Sequence, residues 1–82
     1  MAQADRSVDW CERKLLQVLK EHKEVRTYYR LSSLVLENGV RSVQESRNLN
    51  IASMNLVINR NISKSKDRHG MVVYRLIENS EG

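Results

Sequence analysis

A change of hydrophobic period near residue 62 constrains this chain more than any other feature. Before it, apolar residues recur at the three- and four-residue spacing of amphipathic helices. After it, Ile62-Ser63-Lys64-Ser65-Lys66 alternates, and Met71-Val72-Val73-Tyr74-Arg75-Leu76-Ile77 reads as a β-strand. Asp67-Arg68-His69-Gly70 between them has the composition of a turn. The spacing therefore predicts a β-hairpin, with Val72, Tyr74 and Leu76 on the face that packs against helices.

Upstream, Asp9-Trp10-Cys11-Glu12 fits a capping box, and Cys11, Leu15, Val18, Leu19 and His22 share one face, which predicts a helix over about 9–22. Glu24-Val25-Arg26 reads as a short extended linker and Thr27 as an N-cap. The following segment, 28–38, places Tyr28, Leu31, Leu34 and Val35 inward and leaves Tyr29 for the surface; Asn38-Gly39 is a stop signal. Ser42-Val43-Gln44-Glu45 is a second capping box and opens a third helix. Asn48-Leu49-Asn50 follows within two turns. Asparagine tolerates left-handed backbone and competes for backbone hydrogen bonds, so these residues predict a turn, with a further helix beyond it.

Eighty-two residues suffice for one domain, burying roughly 60% of the surface of the unfolded chain. Its expected bounds are 7–77, between a leader (1–6) and a tail (78–82). The absence of Pro and the presence of only three Gly argue against a long linker. No apolar run approaches the roughly 18 residues that span a bilayer, and MAQADR lacks the apolar stretch of a signal peptide. These observations predict no membrane contact and a cytoplasmic, nucleoid-associated protein, or a nuclear one in a eukaryote. The single cysteine, Cys11, cannot form an internal disulfide and reads as a small core residue. Neither His22 nor His69 has a partner set for a metal, and nothing near Asp67-Arg68-His69 supplies a nucleophile or a phosphate cradle. The chain is therefore read as no enzyme, without a cofactor.

Charge is the functional signal. Between Arg60 and Arg75 lie five basic residues (Arg60, Lys64, Lys66, Arg68, Arg75) against one acid, Asp67, whereas the other nine basic and nine acidic residues cancel. The whole excess of +4 is thus concentrated in one stretch, as a polyanion contact requires. The plainer alternative is an edge strand kept soluble by its lysines.

Helices followed by a basic hairpin, a capped helix at Ser42–Glu45, then Ser46, Leu49, Asn50, Ile51 and Leu56 at their spacings, and the ending MVVYRL resemble the winged helix-turn-helix family of small phage and bacterial regulators. The resemblance spans about residues 9–77. It implies an α+β fold of three to four short helices and a C-terminal hairpin wing. It also implies sequence-specific binding of double-stranded DNA in transcription regulation, with a homodimer as the active form. Glu45 departs from the family pattern, which prefers an aliphatic residue there, and the family register would bury Asn59. Helical periodicity offers another register, with Ile51, Met54, Val57, Ile58 and Ile62 inward, Ala52, Asn55 and Asn59 outward, and Leu56 near the polar face. The recognition helix is then expected at about 52–62 and the wing at 63–70. Asn55 and Asn59 become candidates for adenine contacts, Ser53 and Arg60 for contacts nearer the backbone, and Lys64, Lys66, Arg68 and His69 for the wing. The alternative from the same fold is a protein-interaction module in which Leu56, Tyr29 and the basic wing meet an acidic protein.

Overall fold

Ser7, rather than Asp9, starts the first helix: its side chain accepts the Trp10 backbone N–H at 3.0 Å. Asp9 falls one step inside, where a carboxylate favours the positive end of the helix dipole. In the computed structural model, which describes residues 4–77, the chain then runs α1 (Val8–His22), β1 (Glu24–Arg26), α2 (Tyr28–Val35), α3 (Val43–Ile58), β2 (Ile62–Lys66) and β3 (Val72–Leu76). The fold is α+β, with three helices and one three-stranded antiparallel sheet in the order β1-β3-β2.

The first two helices follow the apolar spacing. Cys11, Leu15, Val18 and Leu19 of α1 are buried, while His22, at the helix end, is exposed. Burial, reinforced by the negative charge of Glu45, pushes the Cys11 thiol above its ordinary pKa and keeps it inert. Thr27 caps α2 through a hydrogen bond from the Arg30 N–H, 3.2 Å. That helix ends at Val35, three residues before the expected Asn38, because Leu36 turns inward to the core and Gly39 takes the left-handed backbone (φ +83°).

The hairpin forms in the expected place. Ile62 pairs with Leu76, Lys64 with Tyr74 and Lys66 with Val72. Val72, Tyr74 and Leu76 face the core, and the Tyr74 ring meets that of Tyr28 at 6.4 Å and 57°. Glu24–Arg26, read as a linker, is instead a strand that pairs with β3, Val25 opposite Tyr74. Three residues are too few to display an alternating pattern, so only the partner strand reveals this one.

The expected break at Asn48-Leu49-Asn50 does not occur. α3 is one helix of 16 residues, and the expected fourth helix is its continuation. Leu49 is buried in the core, a gain on the order of 2 kcal/mol. That outweighs the helix propensity lost at two asparagines, at most about 0.7 kcal/mol each. Asn48 is moreover satisfied through its side chain, which donates to the Arg6 carbonyl at 2.9 Å and accepts from Gln44 Nε2 at 3.0 Å.

The register expected for this helix holds at Val57, which packs on the core, and at the exposed Asn59, with Ile62 buried just beyond the helix, but fails over the rest of α3. Glu45, Leu49, Ala52, Ser53 and Leu56 are buried, whereas Ile51, Met54 and Ile58 are exposed. Leu56 lies in the core and not near the polar face. Ala52 and Ser53 are small and line the buried face of α3, which packs on α1.

Glu45 is the unexpected core residue. Its Oε2 accepts the Arg6 N–H at 2.7 Å and its Oε1 the Arg41 N–H at 2.9 Å, with Arg6 Nε 3.7 Å from Oε2. Burial alone would raise its carboxyl pKa; the two N–H donors and the nearby guanidinium charges win, and the carboxyl is held below its ordinary range. Ala4, Asp5 and Arg6, within the stretch read as leader, belong to this junction: the Ala4 carbonyl accepts from Arg41 Nη1 (2.9 Å), and Asp5 Oδ1 from the Ser42 hydroxyl (2.8 Å). Residues 1–3 and the expected tail, 78–82, lie outside the described residues.

Candidate nucleic-acid interface

The turn of the hairpin is built by Asp67. Its Oδ1 accepts the His69 and Met71 N–H groups at 2.8 and 3.0 Å, and its carbonyl accepts the Gly70 N–H at 3.0 Å. Gly70 closes the loop at φ +80°, the left-handed position that ends a three-residue hairpin connection. Nothing lies within 4 Å of a Cβ built there, so Gly70→Ala is expected to cost about 1 kcal/mol through backbone strain alone. Gly70→Asn should recover part of that loss in urea denaturation, because asparagine tolerates the left-handed region.

The basic residues of this segment divide into two groups. Arg75 is engaged with Glu24 across the β1–β3 pairing at 2.6 Å, and Arg26 with Asp67 at 3.1 Å. Arg75 and then Arg26 hold the Glu24 carboxyl below its usual range. Arg60, Lys64, Lys66 and Arg68 have no carboxylate partner among the described residues. All four are exposed, as is His69. Lys64 and Lys66 stand opposite Tyr74 and Val72, so they leave the sheet on its helix-facing side. They remain exposed beyond Ile62, the buried residue of that strand.

On α3 the candidates are redistributed. Asn55 is half-buried and donates to Glu12 Oε2 at 3.1 Å, tying α3 to α1. Ser53 is buried, its hydroxyl donating to the Asn50 carbonyl at 2.8 Å. Asn59 is exposed, but its backbone N–H caps the helix end through the Asn55 carbonyl. Arg60 follows at φ +61°, where α3 turns into β2. The structure thus keeps Lys64, Lys66, Arg68 and His69 together on the hairpin, buries Ser53 and ties Asn55 to α1.

The outward face that replaces them carries Gln44, Arg47 and Asn50 at three-residue spacing, flanked by Val43, Ile51, Met54 and Ile58. These residues were missed because the register was drawn from Ile51 onward and left Glu45 without a side. Had it been taken as buried, the stripe Glu45, Leu49, Ala52, Leu56 would have given the face at once.

Among the described residues no helix is long and apolar enough to cross a membrane. Comparison with known protein families, curated proteins and solved structures gave no match to this chain.

Proposed function

We propose that the domain is a winged helix-turn-helix that binds duplex DNA, with α2 and α3 as the helical pair, α3 entering the major groove and the β2–β3 hairpin acting as the wing. The observation that carries this reading is the set of unpaired cations Arg60, Lys64, Lys66 and Arg68, on or beside a hairpin that directly follows α3. Arg26 and Arg75 of the sheet are paired with carboxylates, whereas these four have no carboxylate partner among the described residues. The element order and the β1-β3-β2 sheet support the same reading. The outward residues of α3 suit base edges: Gln44 and Asn50 for adenine, Arg47 for guanine, and Ile51 and Met54 for thymine methyl groups. One such helix makes few base contacts, so a homodimer on two half-sites accompanies the proposal.

Fluorescence anisotropy with a mixed-sequence duplex tests it. Four to five phosphate contacts give a log–log dependence of affinity on salt with a slope of roughly −4. An affinity that does not change with salt, or no binding to any duplex at low salt, refutes it.

One observation favours a second reading. Val43, Ile51, Met54 and Ile58 are 72%, 44%, 53% and 71% exposed on α3, more apolar surface than thymine methyls require. An interaction module would set this stripe into an apolar groove of an acidic protein, the wing supplying charge complementarity. Leu56, buried, takes no part in it. In that case duplex binding is absent even at low salt.

A further inference from the structure

Away from α3's outward face and the wing, the segment before α1, α1 itself and the α2–α3 connection line a cleft of about 350 Å³, with Arg6, Trp10, Lys14, Val35, Glu37 and Arg41 on its walls. Three cations face one carboxylate there, and Asn38 adds an amide. Lys14 and Arg41 form no ion pair among the described residues. Arg41 spends one guanidinium N–H on the neutral Ala4 carbonyl.

Arg6 is the unusual member. Nine-tenths of its side chain is buried, and its guanidinium carbon lies 5.2 Å above the Trp10 ring. Its Nε approaches Glu45, yet its Nη1 is buried with no hydrogen-bond partner among the described residues. Buried donors without acceptors are rare in folded proteins because they are costly. A guanidinium kept in this condition beside two further cations and an aromatic face has the makings of an anion site.

We propose that this cleft binds a small phosphomonoester, with the phosphate held by Arg6, Lys14 and Arg41 and the organic part resting beside Trp10. Arg6 is shared with the buried Glu45, so the preference over a single carboxylate rests on the donors of Arg6, Lys14 and Arg41 together, which the several oxygens of a phosphate of roughly −1.5 to −2 charge can engage at once. Guanidinium groups engage phosphate in bidentate fashion. The cleft falls at the small end of the roughly 300–1,000 Å³ range of small-molecule sites, larger than a phosphate alone and open to a ring on the Trp10 face. The site is also coupled to α3: Arg6 and Arg41, whose side chains would grip the ligand, are the residues whose backbone N–H groups hold Glu45.

Trp10 is the one tryptophan in the chain, so its fluorescence reports on the cleft directly. Titration of the full chain with adenosine monophosphate, at ionic strength held constant with sodium chloride, is expected to give a saturable change with a Kd below about 1 mM. Adenosine, lacking the phosphate, should give none. The double variant Lys14→Gln/Arg41→Gln should weaken binding at least about tenfold; its thermal midpoint should fall only slightly, because Arg41→Gln gives up one exposed hydrogen bond to the Ala4 carbonyl while Glu45 is bound by the Arg41 main chain. A signal that does not saturate, that adenosine reproduces, or that the double variant retains overturns the proposal. A duplex arm separates a free phosphomonoester from a DNA backbone phosphate. If the double variant loses duplex affinity while adenosine monophosphate gives no signal, the phosphate belongs to DNA and the small-molecule assignment falls. The adenosine monophosphate, adenosine and thermal readouts do not depend on the wing, and only the duplex arm does, so the two proposals fail separately.

Discussion

Glu45→Leu is expected to cost about 3–5 kcal/mol, the penalty for removing one partner from a buried ion pair. Two backbone N–H groups, of Arg6 and Arg41, lose their acceptor, and the buried Arg6 guanidinium loses its counter-charge. Leucine fills the volume but answers none of these groups. In a small domain, whose total stability sits toward the low end of about 5–15 kcal/mol, such a loss leaves a large unfolded fraction at room temperature. Glu45→Gln keeps the shape and one acceptor, and should cost about 1–3 kcal/mol. Urea denaturation ranks the three proteins; a Leu variant as stable as the parent would show that the junction contributes nothing. Acid gives an independent check. The folded carboxyl titrates below its ordinary value of about 4.3, so its contribution is complete above that value and is lost as pH falls through it towards the lower folded pKa. The parent should therefore lose stability on acidification more steeply than the Gln variant. The slope that remains in the variant includes Glu24, which Arg75 and Arg26 depress in the same direction.

The second large effect concerns the wing. Replacing Lys64, Lys66 and Arg68 together by Glu is expected to lower duplex affinity about 500-fold at 0.1 M salt, since each phosphate contact carries about 0.9 of a decade at that concentration. The repulsion of three new carboxylates adds to this. The log–log salt slope should become less negative by about 3 as well. All three side chains are exposed and have no carboxylate partner among the described residues, so each replacement should change stability by less than about 0.5 kcal/mol. Unchanged circular dichroism and thermal midpoint would assign the loss to binding. If the triple variant binds duplex as the parent does, the wing is not the contact surface and the lysines serve to protect an edge strand.

Much of the architecture was legible in the sequence. Ser42 and Thr27 cap the helices assigned to them, Gly39 and Gly70 take the left-handed positions of stops and turns, and the period change at residue 62 marks the hairpin. The face of α3 was not legible, for a single physical reason. An isolated glutamate reads as outward, and only two N–H groups brought from 39 residues before and 4 residues before it make its burial affordable. Once Glu45 is turned inward, Ile51, Met54 and Ile58 face out and Ala52 and Leu56 face in, and Asn55 moves from candidate base reader to a tie between helices. The basic hairpin was legible because charge on a hairpin tip needs no tertiary partner to be exposed.

The order of the sheet has a consequence for how the chain acquires its structure during synthesis. β3 lies between β1 and β2 but follows both in the chain, so Val25 and Tyr28 have no Tyr74 to meet until the last strand has left the ribosome. The helices can form as they emerge, but the sheet cannot close progressively. At about 5–20 residues per second, the nearly fifty residues that separate β1 from its partner, Glu24 from Arg75 at a sequence distance of 51, leave Val25 uncovered for several seconds in every newly made molecule.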